Sequence, residues 1–134
     1  PLEVTIDERL TEMDFGAWTG LTFNSLQASV EWKRYNTNRS LHAPPGGESL
    51  MDVQSRAWEC LSGISERSPG ATIAVVTHAD VIRALLVLFL GMPLDHLLRI
   101  EVAPASITAV NIGGDHVVVS NVNFACGDRG IANG

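Results

Sequence analysis

Basic charge, cysteine and long apolar runs are all scarce in this chain, and each shortage narrows what it can be. Nine Lys and Arg against fifteen Asp and Glu give a formal net charge of −6. No basic surface is therefore available to neutralise a nucleic-acid backbone. An anion site in such a protein has to be made locally, by a few cations and by helix ends. Cys60 and Cys126 are the only cysteines. They are too few and too scattered for a disulfide framework or a zinc site, and are expected as free thiols in a reducing cytoplasm. No secretory leader is expected. The run Ala84–Leu90 is far too short to span a bilayer and follows Asp80 and Arg83. Neither a membrane, a nucleic acid, a metal nor a cofactor is expected as a partner.

What is present is an ordinary globular composition, 46% hydrophobic and 18% charged over 134 residues, enough for one domain with a real core. One domain is expected over 1–124, with a small polar tail over 125–134. The most informative stretch is Ala71–Leu90. Ile73–Thr77 is short, apolar and β-branched, which predicts a strand buried on both faces. Val81–Leu90 is longer, rich in Leu and Ala, and stops at Gly91-Met92-Pro93, which predicts a helix and its end. Between them, Thr77-His78-Ala79-Asp80 falls where a strand runs into a helix. There an open α/β sheet forms its crevice and unpaired N–H groups favour an anion. His78 could donate to phosphate there; Asp80 or Thr77 could equally do no more than cap the helix.

The remaining segments surround that junction. Leu2, Val4 and Ile6 alternate with polar residues, as a half-buried extended segment would. Leu10–Gly20 (LTEMDFGAWTG) carries two glycines, an aromatic pair and the carboxylates Glu12 and Asp14, which predicts a structured loop. Thr22 can cap a helix over about Phe23–Trp32. Lys33–Gly47 reads as a polar loop with a local cluster of Lys33, Arg34, Arg39 and His42. Ser49 and Asp52 have capping-box spacing before a helix whose Leu50, Val53, Ala57, Leu61 and Ile64 share a face. Arg56 is expected on a different face of that helix, as a surface ion-pair partner rather than a ligand. A helical turn over Leu94–Leu98, a strand over Arg99–Val102 and a hairpin of Ser106–Ile112 with His116–Val122 follow.

Three motifs in order, LTEMDFGAWTG, PPGGES at Pro44–Ser49 and VVTHADVIRALL at Val75–Leu86, together with RIEVAPASITAVNI at Arg99–Ile112, make the chain resemble the histidine phosphatase superfamily in its phosphoglycerate mutase-like branch. The resemblance runs from about Leu2 to Val122. It implies a three-layer α/β/α sheet fold and transfer of a phosphoryl group of a small phosphorylated metabolite through a phosphohistidine, with no cofactor. It also implies roles: Glu12 as the general acid and His78 as the phosphate-binding histidine, with the Ala79 amide beside it where the family usually has glycine. Arg39 and Arg34 are the candidates for further phosphate contacts. Hydrolysis is favoured over mutase chemistry, because few cations lie between Glu12 and Pro44 to hold a second phosphate.

The family's nucleophile stands in an Arg-His-Gly run at the end of its first strand. None of the four histidines here, 42, 78, 96 and 116, is preceded by arginine or followed by glycine. The expectation is therefore a carboxyl-terminal portion that lacks the amino-terminal strand, inactive by itself. The alternatives are a catalytically inactive phosphate-binding or oligomeric module, and a homo-oligomer or complementing chain that supplies the missing strand in trans.

Overall fold

The computed structural model describes residues 3–114 and 116–125. Four helices and one hairpin make up its regular structure, joined by short 3₁₀ turns. The region expected as one helix divides into α1 (Phe23–Gln27) and α2 (Val30–Thr37). The break has a local cause. The Thr22 hydroxyl accepts from Ser25 N–H to start α1, and the Ser29 hydroxyl accepts from Trp32 N–H to start α2. Residues Lys33–Thr37, expected as loop, therefore belong to α2.

α3 (Leu50–Arg67) opens with the expected capping box: Ser49 Oγ accepts from Asp52 N–H, and the Asp52 carboxylate accepts from Ser49 N–H. α4 (Ala79–Phe89) begins at His78 and ends in a glycine-dependent reversal. Gly91 has φ +62°, Met92 N–H donates to Val87 C=O at 2.8 Å, and Gly91 N–H donates to Leu88 C=O at 3.2 Å. A residue with a Cβ would resist that left-handed turn.

α3 packs against α4, and this contact forms the centre of the core. Leu50, Val53 and Ala57 from α3 meet Val81, Ala84 and Val87 from α4, all fully buried. Met13, Trp18, Leu26 and Tyr35 extend the same cluster on one side. Trp18 stands edge-on to Trp32 (5.2 Å) and to Tyr35 (5.3 Å), so the rings interlock rather than stack. The hairpin, β1 (Ser106–Gly113) with β2 (His116–Ala125), packs along α3 and α4. Its antiparallel register pairs Gly113 with His116, and irregularities lie between Ile107 and Val110. β2 runs to Ala125; residues 126–134, with Cys126 and the rest of the expected tail, lie outside the described residues.

Three extended segments differ from expectation. Ile73–Thr77 has no ladder partner among the described residues, and it is open to solvent rather than buried on both faces: Val76 is 91% exposed. Its composition is that of a central strand, yet burial requires neighbours that the described residues do not provide. Val4 and Ile6 are likewise exposed rather than half-buried. Arg99–Val102 is not a strand: a 3₁₀ turn over Leu94–Arg99 takes its first residue, although Val102 is buried. No helix among the described residues is long and apolar enough to cross a membrane.

Candidate functional site

The junction at Thr77–Asp80 is the start of α4. His78 is the N-cap residue of α4, in an extended conformation (φ −112°, ψ 164°). No side chain caps that end, so the first-turn amides, Ala79 among them, are not occupied by Asp80 or Thr77. Both residues have other partners. Asp80 pairs with Arg83 at 3.0 Å, and Arg83 Nε also donates to Ile100 C=O at 2.9 Å. Thr77 Oγ1 donates to Leu10 C=O at 2.6 Å. The His78 side chain is exposed.

The Thr77 hydrogen bond reaches the loop that carries Glu12. A 3₁₀ turn over Glu8–Leu10, capped by Asp7, leads into it. Arg9 pairs with Asp7 at 2.6 Å and holds that carboxyl well below the usual range; a contact from Cys60 Sγ at 3.3 Å adds to this. Glu12 is half-buried, and its Oε1 accepts from Met13 N–H at 2.9 Å. Further on, Asp14 Oδ1 accepts from Gly16 N–H at 2.8 Å and turns the chain into a second 3₁₀ turn, Gly16–Trp18.

Pro44–Ser49 lies directly along this loop. Ala17 N–H donates to Pro45 C=O, and Glu48 N–H donates to Asp14 C=O, both at 2.9 Å. Gly16 and Gly47 permit the approach. A Cβ on Gly16 would sit 2.4 Å from Pro45 O, and one on Gly47 would sit 2.4 Å from Asp14 O. Gly16 and Gly47, one glycine from each motif, are thus explained by one backbone contact.

Arg56 corrects its surface assignment. It does form an ion pair, Nε to Glu48 Oε1 at 2.6 Å, but both side chains are mostly covered, at 18% and 19% exposure. Nη2 adds a second bond to Glu48 at 2.9 Å, while Nη1 donates to Arg9 C=O at 2.6 Å and Nη2 to Glu12 C=O at 3.3 Å. The helical spacing carried a signal for this: 53, 56, 57 and 60 fall on one face, and the other three are buried.

Next to the Glu12 loop lies a cavity of about 430 Å³ whose lining includes Phe15, Trp18, Trp32 and Tyr35, with Arg39, Asp80 and Arg83 as its charged members. Arg39 stacks its guanidinium 4.8 Å over the Tyr35 ring and donates to Asn36 Oδ1 at 2.7 Å. Arg34, expected beside it, is exposed on α2 and does not line the cavity. Burial pushes the Tyr35 hydroxyl up to about 12; the Arg39 cation opposes that rise, and the Asp80 and Glu12 carboxylates add to it. Glu12, Asp80 and Arg39 therefore all act electrostatically on one buried phenol. Glu12 and His78 themselves do not line the cavity. No group of three or more His, Cys, Asp or Glu that could hold a metal occurs among the described residues.

An uncapped helix amino terminus thus stands beside an exposed histidine, and the loop bonded to that segment carries a half-buried carboxylate. The family model of the histidine phosphatase superfamily (branch 1) matches residues 1–125, and the chain belongs to that superfamily. It is 36% identical over 115 residues to the bifunctional protein Rv2228c of Mycobacterium tuberculosis, covering 85% of this chain and 32% of that protein. It is 26% identical over 127 residues to phosphoserine phosphatase 1 of Hydrogenobacter thermophilus, covering 93% of this chain and 60% of that one. Among solved structures it matches Bacillus stearothermophilus YhfR with a TM-score of 0.80 and 33% identity, over 89% of this chain and 60% of that chain. It matches mycobacterial glucosyl-3-phosphoglycerate phosphatase Rv2419c, solved with inorganic phosphate, with a TM-score of 0.78 and 27% identity, over 92% of this chain and 66% of that chain. The fold is thus the phosphoglycerate mutase-like one, of which the hairpin forms part of the sheet. The chain spans between a third and two thirds of the length of these relatives.

Proposed function

We propose that this chain contributes the acid and the phosphate-binding half of a phosphomonoesterase site, acting on a small phosphorylated metabolite through a phosphohistidine. The observation that carries the reading is the 2.6 Å bond from Thr77 to Leu10, which ties the Glu12 loop to the segment ending in His78.

In the first step Glu12 gives its proton to the leaving alkoxide as the P–O bond breaks and the phosphoryl group passes to a histidine nitrogen. His78 and the Ala79 amide donate to the equatorial phosphoryl oxygens, where the charge of the transition state lies. In the second step the Glu12 carboxylate takes a proton from the water that attacks phosphorus, and the P–N bond breaks. Since no histidine here stands in an Arg-His-Gly run, the nucleophile in this scheme is a histidine outside these residues. The apolar cavity beside Glu12 would take the alcohol part of the substrate, with Arg39 at its polar side; exposed Arg34 is the weaker candidate for any phosphate contact. Phosphatases among the relatives and solved structures support hydrolysis.

The test is calorimetric binding of orthophosphate and vanadate, together with hydrolysis of p-nitrophenyl phosphate by the complete protein. His78→Ala is expected to abolish tight vanadate binding and turnover alike. Undiminished vanadate affinity in His78→Ala would remove the phosphate site from this junction. Tight binding without turnover in the complete protein would favour the inactive phosphate-binding module.

A further inference from the structure

We propose that Arg56 is a positioning residue for Glu12, and that Glu48 of the PPGGES stretch anchors it. The proposal rests on the acid role given to Glu12 above. A guanidinium carries five N–H donors in a rigid plane, and here its three nitrogens serve three residues in two chain segments at once. Nε and Nη2 hold the two oxygens of Glu48, a two-point pair that fixes the plane of the fork. Nη1 and Nη2 then reach the carbonyls of Arg9 and Glu12.

Glu48 closes the bracket from the other side: its Oε2 accepts from Asp14 N–H at 3.4 Å, and its own N–H donates to Asp14 C=O at 2.9 Å. The backbone is thus gripped at 9, 12 and 14, on both sides of the carboxylate. Because Glu12 Oε1 accepts from the amide of Met13, the peptide orientation at 12–13 also orients the acid. A proton donor displaced by about 1 Å loses on the order of 100-fold in rate, so this grip bears on catalysis as well as on folding.

A pure stability role and a positioning role separate by leaving group. The complete protein would be assayed on 2,4-dinitrophenyl phosphate, whose leaving group needs no proton, and on phenyl and alkyl phosphates, which need one. Arg56→Met is expected to lower kcat/KM on the poor leaving groups by about 10- to 100-fold and on 2,4-dinitrophenyl phosphate by about twofold or less. It should add little to Glu12→Gln, and Arg56→Lys should rescue only part, since an ammonium lacks the fork. An equal loss on every ester, or losses that add to those of Glu12→Gln, would overturn the proposal. Glu48→Gln, nearly isosteric, gives the same test if Arg56→Met does not fold. Should Glu12→Gln show no leaving-group dependence, the acid role fails and the grip is read by amide exchange at Met13 and Asp14. A tenfold faster exchange there in Arg56→Met, with the α4 amides unchanged, supports the grip; unchanged exchange refutes it.

Discussion

Gly16→Ala is the sharpest probe of how the two glycine-bearing motifs work together. At φ +51° an alanine is strained by about 1–2 kcal/mol in the left-handed region. Its Cβ would also lie 2.4–2.6 Å from the backbone of Pro45–Gly47, atoms that cannot rotate away. The strands of the contact must therefore separate, weakening the bonds Ala17 to Pro45 and Glu48 to Asp14, each 2.9 Å. At about 1 kcal/mol for each bond, the total comes to about 3–4 kcal/mol. Gly46→Ala is the control, with φ +69° but no atom within 4 Å of its Cβ. It should cost about 1–2 kcal/mol, the backbone strain alone. Urea denaturation of both variants measures the difference directly, with an unchanged m-value as the check that only stability has moved. If Gly16→Ala costs no more than Gly46→Ala, the close approach is not what requires glycine there.

Two more outcomes follow from the geometry. Tyr35 is the only tyrosine, so its phenolate can be followed by absorbance near 295 nm; the native protein should titrate near 12 and the unfolded chain near 10. Because the folded value is the raised one, stability is intact below about pH 10 and falls as pH rises toward 12, the range in which only the unfolded state has lost the proton. Tyr35→Phe should abolish that absorbance change, and a native midpoint at 10 would mean the phenol is not buried. Ser49→Ala, which removes the side-chain half of the capping box on α3, should cost about 1 kcal/mol in thermal or urea unfolding; no loss would mean the helix start is fixed by other contacts.

Much of the local structure was legible in the sequence because it depends on neighbours only a few residues away. The Ser49 and Asp52 capping box, the Gly91 helix end and the pairing of Gly113 with His116 are of that kind. The motif order was enough for the family and fold. Long-range pairing was less legible. Ile73–Thr77 has the composition of a central strand, but composition cannot state whether partners lie alongside, and among the described residues none does. Arg56 failed to show its role because two of its partners, Arg9 and Glu12, lie more than forty residues before it in the sequence, and Glu48 stands just ahead of α3. A charged residue on a buried helical face was the available signal. The division of α1 from α2 turned on Ser29, a second capping residue inside what reads as one helix. For the candidate site, the sequence motifs singled out Glu12 and His78 as proposed residues, while the Thr77 bond that links their segments is visible only in three dimensions.

The most direct measurement is the leaving-group dependence of kcat/KM for the complete protein and its Glu12→Gln variant, over aryl and alkyl phosphates. With Glu12 as the acid, the variant should lose about 10²- to 10⁴-fold on alkyl phosphates and progressively less as the leaving group improves, so that its rates fall more steeply with leaving-group pKa. Parallel dependences for the two proteins would contradict the assignment and leave the loop with a structural role only.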